Sequence, residues 1–216
     1  MNNATFFFNQ PKNEPVFSYA KGSKERELLS KELEKQYNQC IEIPIIINGK
    51  EIRTGNVSEV VMPTEHSHVL AKFHKADKET VQKAIEAALE ARKKWENVHW
   101  IDRCSIMLRA AELLAGKYRY VINAATMLGQ GKNPFQAEID SACETIDFLR
   151  FNVHYASKIY AQQPLSDNSA INRLEYRGLE GFVYAISPFN FTSIACNLNI
   201  SPVLMGNVTV WKPATT

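Results

Sequence analysis

Two predicted strand ends near the end of the sequence carry residues that could do chemistry. A turn of sequence Pro-Phe-Asn-Phe (188–191) follows the apolar segment 181–187, and Lys212 ends the apolar segment 208–211. The amide of Asn190 could donate a hydrogen bond where negative charge develops in a reaction, or could satisfy the backbone of its own turn. A lysine at a strand end could contact a ligand or extend into solvent. The residues by themselves leave both pairs of alternatives open.

The elements around these residues form a predicted βαβ unit. The few charges in 181–187 favour a strand that is buried on both faces of a parallel sheet. Residues 194–205 are apolar and long enough for a helix, and Gly206-Asn207 stops that helix before the strand 208–211. Ligands of such units gather at the carboxyl ends of the strands, where the turn and Lys212 stand. The turn and the helix contain no glycine, so a dinucleotide would bind here without the G-x-G-x-x-G loop.

Upstream of this unit the sequence predicts an extended arm and then mostly helices. Ser23 opens an amphipathic helix, and Asn48-Gly49 predicts a two-residue hairpin turn because a type I′ turn needs positive φ at both positions. Other helical patterns begin at a capping Asp77 and at Pro134. The predicted helices cover about 24–39, 77–95, 104–115, 118–128 and 134–153. The segment Gly-Gln-Gly-Lys (129–132) follows a helix rather than a strand, so we expect it to cap that helix and not to bind phosphate.

Composition narrows the class of protein. With 25 basic and 23 acidic residues among 216, the net charge of +2 gives no reason to expect a nucleic-acid partner, and no apolar run is long enough for a membrane span. The four cysteines are scattered without a C-x-x-C pair, which indicates buried free thiols and no metal site. The first ten residues lack the features of a signal peptide, and no arginine precedes Arg26. We therefore expect a cytoplasmic protein, or one of the mitochondrial matrix if the source is eukaryotic.

The sequence resembles a known enzyme family. The segment AISPFNFTSIACNLNISPVLMGNVTVWKP (185–213) is similar to the aldehyde dehydrogenase pattern of strand, Pro-aromatic-Asn-Phe, helix, Gly-Asn, strand and Lys-Pro. Four further segments narrow the resemblance to the glutamate γ-semialdehyde (Δ1-pyrroline-5-carboxylate) dehydrogenases of this family. They are NEPVFSYAKGSKER (13–26), ADKETVQKAIEAALEARKKW (76–95), GQGKNPFQAEIDSACETIDFLRFN (129–152) and YRGLEGFVYAISPFNFT (176–192). The resemblance covers nearly the whole chain from Asn13 onward.

The resemblance implies specific roles for residues at the strand ends. Asn190 matches the asparagine that stabilises the oxyanion formed when a cysteine attacks the aldehyde. Lys212 matches the lysine that reaches the ribose hydroxyls of the nicotinamide cofactor, and Ser187, Pro188 and Phe189 match positions that line the same cleft. The expected cofactor is NAD. Many NAD-preferring relatives carry an acidic residue where this sequence has Thr215, so the preference over NADP stays open.

The resemblance also implies a substrate and an assembly. Glu144 matches a glutamate near the substrate's amino group, and Phe191 matches a residue that packs beside the aldehyde chain. The substrate is glutamate γ-semialdehyde, a small molecule that the intact enzyme oxidises to glutamate in proline catabolism, and the full-length enzyme is expected to be a homo-oligomer.

The resemblance further implies an α/β fold that is the N-terminal part of an aldehyde dehydrogenase. Residues 1–40 would form an arm and helix, 41–161 the helical part of the NAD-binding domain with a β-hairpin, and 178–216 its first, incomplete Rossmann-like βαβ unit. Polar residues 162–177 would project as a hairpin, with a strand at 170–176, and serve oligomerisation.

Activity depends on residues that the resemblance places beyond Thr216. The family's nucleophilic cysteine and general-base glutamate would both lie there, so we expect an N-terminal fragment that is inactive by itself. Two alternatives stay open, namely a fragment of another semialdehyde dehydrogenase and a non-catalytic module that binds nucleotide or a partner. The coding sequence past Thr216 would distinguish them.

Overall fold

The computed structural model describes residues 6–215; the first five residues of the predicted arm and residue 216 lie outside the described part. The helices are α1 (Lys24–Tyr37), α2 (Lys78–Trp95), α3 (Trp100–Ala115), α4 (Arg119–Gln130), α5 (Pro134–Ala137), α6 (Glu144–Tyr160) and α7 (Thr192–Leu204), with a π-helical segment (Glu138–Cys143) between α5 and α6. The strands are β1 (Ile41–Ile43), β2 (Ile45–Ile47), β3 (Lys50–Ile52), β4 (Val57–Met62), β5 (Glu65–His74), β6 (Val183–Ile186) and β7 (Thr209–Lys212).

The strands of the described residues form small sheets rather than one large one. β1 pairs in parallel with β5, which pairs antiparallel with β4. β2 and β3 form the predicted hairpin, with φ of 51° at Asn48 and 73° at Gly49. The β4–β5 hairpin was not predicted, because the first three residues of β5 are exposed and polar and show no apolar alternation. β6 and β7 form a parallel pair joined by α7, which confirms the predicted βαβ unit.

The predicted helix ends are confirmed where local chemistry determines them. The Asp77 side chain accepts a hydrogen bond from the amide of Thr80, 2.8 Å away, and so caps α2. Gly131 ends α4 in the left-handed conformation, with φ of 65°, which is the capping role predicted for the Gly-Gln-Gly-Lys segment. Asp77 thus determines where α2 begins, and Gly131 determines where α4 ends and the chain turns toward α5.

The main hydrophobic core lies between α3, α6 and α7. Apolar side chains at helical spacing on each helix face one another there, as their periodicity predicts. Its buried members are Cys104, Met107, Ala111, Ala142, Ile146, Leu149, Val153, Ala156 and Leu204. A smaller core of Tyr19, Leu29 and Ala124 joins the N-terminal arm and α1 to α4. The described part of the arm is therefore packed against the helices.

The predicted helix from Pro134 is interrupted by the π-helical segment. Pro134 stands at its first turn and Asn133 and Gln136 form a capping box, as expected for a helix start. The π-helical turn then follows, and it holds Glu138 and Asp140 among its buried residues. Such wide turns are rare and occur frequently at functional sites. This one supplies side chains to two separate polar clusters.

The predicted strand at 170–176 is wrong, since no strand covers any of the residues from 162 to 177. Backbone amides of this segment bond side chains instead of a neighbouring strand. Ser166 Oγ accepts a hydrogen bond from the amide of Asn172, and Gln163 Oε1 accepts one from the amide of Leu174. Side-chain oxygens that bond the backbone in this way compete with strand pairing. All residues from 162 to 177 are exposed, and their role in oligomerisation stays a prediction.

The parallel strand pair is covered on one face only within the described residues, so the prediction of burial on both faces is wrong for β6. Ala185 is buried, whereas Tyr184 and Ile186 are 58% and 57% exposed. Successive side chains of a strand point to opposite faces, and α7 lies against one of them. The register pairs Ile186 with Lys212, which puts Lys212 on the uncovered face.

Candidate functional site

The carboxyl ends of β6 and β7 bring two predicted site residues together. Ile186 and Lys212 are register partners, and the amide of Ser187 donates to the carbonyl oxygen of Lys212 at 3.2 Å. Ser187 is buried, and its hydroxyl accepts a hydrogen bond from the Trp211 indole. The Lys212 side chain is exposed, and its ammonium group pairs with no residue in the part of the chain that the structure describes. It is available to a ligand.

The turn after β6 presents an amide and aromatic rings. Pro188 is half-buried, and Phe189, Asn190 and Phe191 are exposed. The backbone oxygen of Asn190 accepts a hydrogen bond from Lys132 Nζ at 2.6 Å. Its side-chain amide makes no hydrogen bond within residues 6–215, so the turn's own backbone does not consume the amide. The sequence left open that the Asn190 side chain only bonds the backbone of its own turn. Among the described residues the structure shows no such hydrogen bond.

Lys132 is a site residue that the sequence analysis missed. Its ammonium lies 2.5 Å from Asp140 Oδ2, bonds the Asn190 carbonyl and stands 4.5 Å from the centroid of the Phe191 ring. The side chains of Lys132 and Asp140 are only 17% and 5% exposed. The sequence offered one signal: a lysine just beyond a capping glycine, eight residues before an aspartate in the helical run that follows.

Acidic side chains from the π-helical turn and α6 reach the start of α7. Ser193 Oγ is 2.7 Å from Glu144 Oε2 and 3.2 Å from Asp140 Oδ1. A hydroxyl has one proton to donate, and the shorter distance favours Glu144 as its acceptor. Glu144 is a predicted site residue on α6, and the structure places it near the turn that carries Asn190 and Phe191.

A second polar contact holds α7 to α4. Thr192 Oγ1 lies 2.8 Å from Thr126 Oγ1 and accepts from Gln130 Nε2 at 2.9 Å. A pocket of about 180 Å³ opens beside them, lined by Ile122, Ala125, Thr126, Gly129, Gln130 and Thr192. The first turn of α7 is thus tied to α4 on one side and to the acidic residues on the other.

Comparison with known proteins identifies the family of this chain. The sequence profile described as "Aldehyde dehydrogenase family" matches residues 51–216. The chain belongs to the aldehyde dehydrogenase family. This confirms the resemblance and the predicted α/β fold class.

Several relatives of high similarity carry a more specific name. A Delta-1-pyrroline-5-carboxylate dehydrogenase of Agaricus bisporus is 53% identical over 213 residues, covering 98% of this chain and 39% of the relative. The mitochondrial Delta-1-pyrroline-5-carboxylate dehydrogenase of Homo sapiens is 50% identical over 204 residues, covering 94% and 36%. A crystal structure of the Mycobacterium tuberculosis enzyme bound with NAD superposes with a TM-score of 0.95 at 46% identity, covering 99% and 40%. The chain thus spans about two fifths of the length of these relatives.

Three of the four cysteines are not activated nucleophiles, because their surroundings raise the pKa of each thiol. Burial raises the pKa of Cys104 and of Cys196 to about 11, and burial together with Glu138 raises that of Cys143 to about 12. Thiols with such pKa values remain protonated near neutral pH. Cys40 is exposed and Cys196 is half-buried, so the expectation that all four thiols are buried is wrong for these two.

The described residues contain neither a candidate metal site nor a membrane-spanning helix. Among residues 6–215, no group of three or more His, Cys, Asp or Glu side chains is placed to hold a metal ion. Within the same range no helix combines the length and the apolar character needed to cross a membrane.

Proposed function

We propose that this chain carries the oxyanion donor and part of the cofactor site of an NAD-dependent glutamate γ-semialdehyde dehydrogenase. The observation that carries the proposal is the unbonded side-chain amide of Asn190 on the turn after β6, one strand away from the exposed ammonium of Lys212. Ligands of parallel α/β units bind at this edge of the sheet. The family membership and the relatives' names support the same reaction.

The residues at the strand ends fit a nicotinamide dinucleotide. Lys212 offers ammonium donors to ribose hydroxyls, and the backbone around Ser187, Pro188 and Phe189 forms the adjoining wall. Within the described residues, Lys212 has an unpaired charge and shares an uncovered face with Ile186. A bound ligand would contact this charge and cover this face. When bound, NAD supplies the hydride acceptor of the reaction.

Asn190 acts on the reacting carbonyl oxygen. When a thiolate adds to an aldehyde, negative charge develops on that oxygen, and a fixed amide N–H lowers the energy of the charge without reorganising first. The amide must be held in place beforehand to do this. Lys132 holds the backbone carbonyl of Asn190, and the side-chain amide remains free to bond the reacting oxygen.

Glu144 and Phe191 support the choice of substrate. Ser193 engages one carboxylate oxygen of Glu144, and the other is available to an α-ammonium group. Phe191, two residues before Ser193 in the chain, is exposed and can pack against the short aldehyde chain. An amino acid that carries an aldehyde at its far end matches both features.

The assembly and the compartment are proposals of the same kind. The exposed segment 162–177 carries Leu165 and Ile171, which are 93% and 80% exposed, and a partner subunit would cover them. We propose a cytoplasmic location, with the mitochondrial matrix as the alternative because eukaryotic relatives are named mitochondrial. A fluorescent fusion of the complete coding sequence distinguishes the two locations.

The test uses the protein translated from the complete coding sequence. NADH formation is measured with glutamate γ-semialdehyde for the native protein, for Asn190→Ala and for the control Asn97→Ala, an exposed asparagine at the end of α2. We expect kcat to fall by about 10²–10³ in N190A, the usual loss for one oxyanion donor, and to stay within about twofold in N97A. Residues 1–216 alone should form no NADH.

The remaining outcomes separate the alternatives. Turnover that is faster with another semialdehyde would favour a different member of the family. NAD binding without oxidation of any aldehyde would favour a non-catalytic module. Full activity in N190A would refute the assigned role of the amide.

A further inference from the structure

We infer that Lys132 is a positioning residue for the oxyanion donor, with Asp140 as its anchor; this inference rests on the proposed function. Lys132 lies in the short link between α4 and α5, and its ammonium bonds the backbone oxygen of Asn190 at 2.6 Å. No other described residue donates a hydrogen bond to that carbonyl. Without it, the Asn190 peptide would lose its link to the helical body.

The chemistry of lysine fits this place. An ammonium group has three N–H donors on a flexible stem, and here it meets a carboxylate, a carbonyl and an aromatic face. A lysine at the end of a helix is usually solvated, but this side chain is 17% exposed and its Asp140 partner 5%. Because both side chains are largely removed from water, the attraction between them is screened less than in an exposed pair, which contributes almost nothing.

Asp140 and Glu144 hold the turn from its two sides. Asp140 binds Lys132, which reaches the carbonyl of Asn190, and Glu144 accepts the hydrogen bond of the Ser193 hydroxyl at 2.7 Å in the first turn of α7. The turn is therefore bracketed by two acidic side chains, one acting just before Phe191 and one two residues after it. A displacement of about 1 Å in such a residue can cost about 10² in rate, so this bracket has a catalytic consequence.

The test compares variants of the complete protein in the NADH assay. Lys132→Met keeps the length of the side chain but removes its donors, and Lys132→Met combined with Asp140→Asn leaves no unpaired buried charge. We expect kcat to fall by about 10–100-fold in both, with KM for NAD within about threefold, because the turn and not the Lys212 contact is disturbed. Lys132→Arg should recover part of the loss. The control is Lys31→Met, an exposed lysine of α1.

A double-mutant cycle separates positioning from general stability. If Lys132 acts through Asn190, the variant K132M/N190A should be no slower than N190A alone within about threefold, since the donor is already gone. Losses that multiply in the double variant would overturn the inference, as would full activity in K132M. Hydrogen exchange supplies a second readout: the amides of 190–193 should exchange faster in K132M than in K31M, and equal rates would overturn the inference.

The same experiments tell the inference apart from the proposed function. An active native protein with a fully active K132M removes only the inference. A native protein that oxidises no aldehyde removes the proposed function and the catalytic role of Lys132 with it, and the exchange rates then decide whether Lys132 orders the turn.

Discussion

Replacing Arg119 tests the buried charge cluster that fastens the N-terminal arm to the helices. Arg119 is 1% exposed and bonds the fully buried carboxylate of Glu138, a carboxylate oxygen of Glu14 at 2.5 Å and the carbonyl of Pro15 at 2.6 Å. Its guanidinium also stands 3.8 Å from the centre of the Phe17 ring. One side chain therefore joins α4, the π-helical segment and the arm.

The magnitude follows from what Arg119→Met would leave behind. Glu14 keeps a second partner, Arg150, at 2.5 Å, but Glu138 loses its only cationic partner among the described residues. Breaking a buried ion pair by removing one member costs about 3–5 kcal/mol, a large part of a domain's stability of about 5–15 kcal/mol. At about 2–4 °C per kcal/mol for a chain of this size, we expect Tm to fall by about 6–20 °C.

The pH dependence of this loss has a defined sign. Burial by itself would raise the pKa of Glu138, but hydrogen bonds from Arg119 and Tyr19 outweigh burial and hold the pKa below its ordinary value. In the native protein this carboxylate therefore contributes stability above about pH 4.3, which is lost as pH falls through the lowered pKa. In R119M burial should prevail and raise the pKa. The stability gap between native protein and variant should then be widest near pH 7 and narrow toward about pH 5, because protonation relieves the buried charge.

Thermal unfolding at pH 7, 6 and 5 measures both effects, with Arg109→Met as the control. Arg109 is an exposed arginine of α3, and its replacement should change stability by no more than about 0.5 kcal/mol. Hydrogen exchange should show lost protection at the amide of Phe17, which bonds Glu138 at 2.8 Å in the native protein. An R119M variant as stable as R109M, or a gap that widens as pH falls, would refute the reasoning.

Three further predictions concern backbone and thiols. Gly178→Ala should lower Tm by about 2–12 °C because its Cβ would lie 2.8 Å from the backbone oxygen of Gly206, and overpacking costs about 1–3 kcal/mol; an unchanged Tm would contradict this. Gly131→Ala should lower Tm by about 2–8 °C through its left-handed φ of 65°, and Gly131→Asn, which tolerates that conformation better, should lower it less. A thiol reagent at pH 8 should modify Cys40 quickly and the buried Cys104 and Cys143 only on unfolding; a fast phase that survives in the double variant Cys40→Ser/Cys196→Ser would count against the burial of those two thiols.

Local signals in the sequence were enough to predict the strand ends of the candidate site. The βαβ unit follows from apolar runs and from Gly206-Asn207, and its topology alone brings Ser187 near Lys212. The same applies to Gly131, where φ is set by the end of one helix. Such features depend on residues within a few positions of one another.

Contacts between distant parts of the chain could not be read from the sequence in this way. Lys132 and Asn190 are 58 positions apart, and Arg119 and Glu14 are 105 apart. Periodicity reports which face of a helix is apolar but not which charged residue will meet another across the fold. The wrong strand at 170–176 has a different cause, because polar side chains there bond the backbone that a ladder would have used.

The π-helical segment introduces a phase shift into an otherwise continuous helical run. An α-helix turns by about 100° per residue, so the one extra residue of a π-turn rotates everything that follows by roughly that angle. At the first residue of the segment, Glu138 faces the arm; after the segment, Ile146 and Leu149 face the core between α3 and α7. Deletion of one residue from 138–143 would let the run close into a regular α-helix, and its acidic and apolar faces could then no longer both be satisfied. In an alignment of sequences, a one-residue deletion within 138–143 would thus distinguish relatives that share only the fold from those that also share the site.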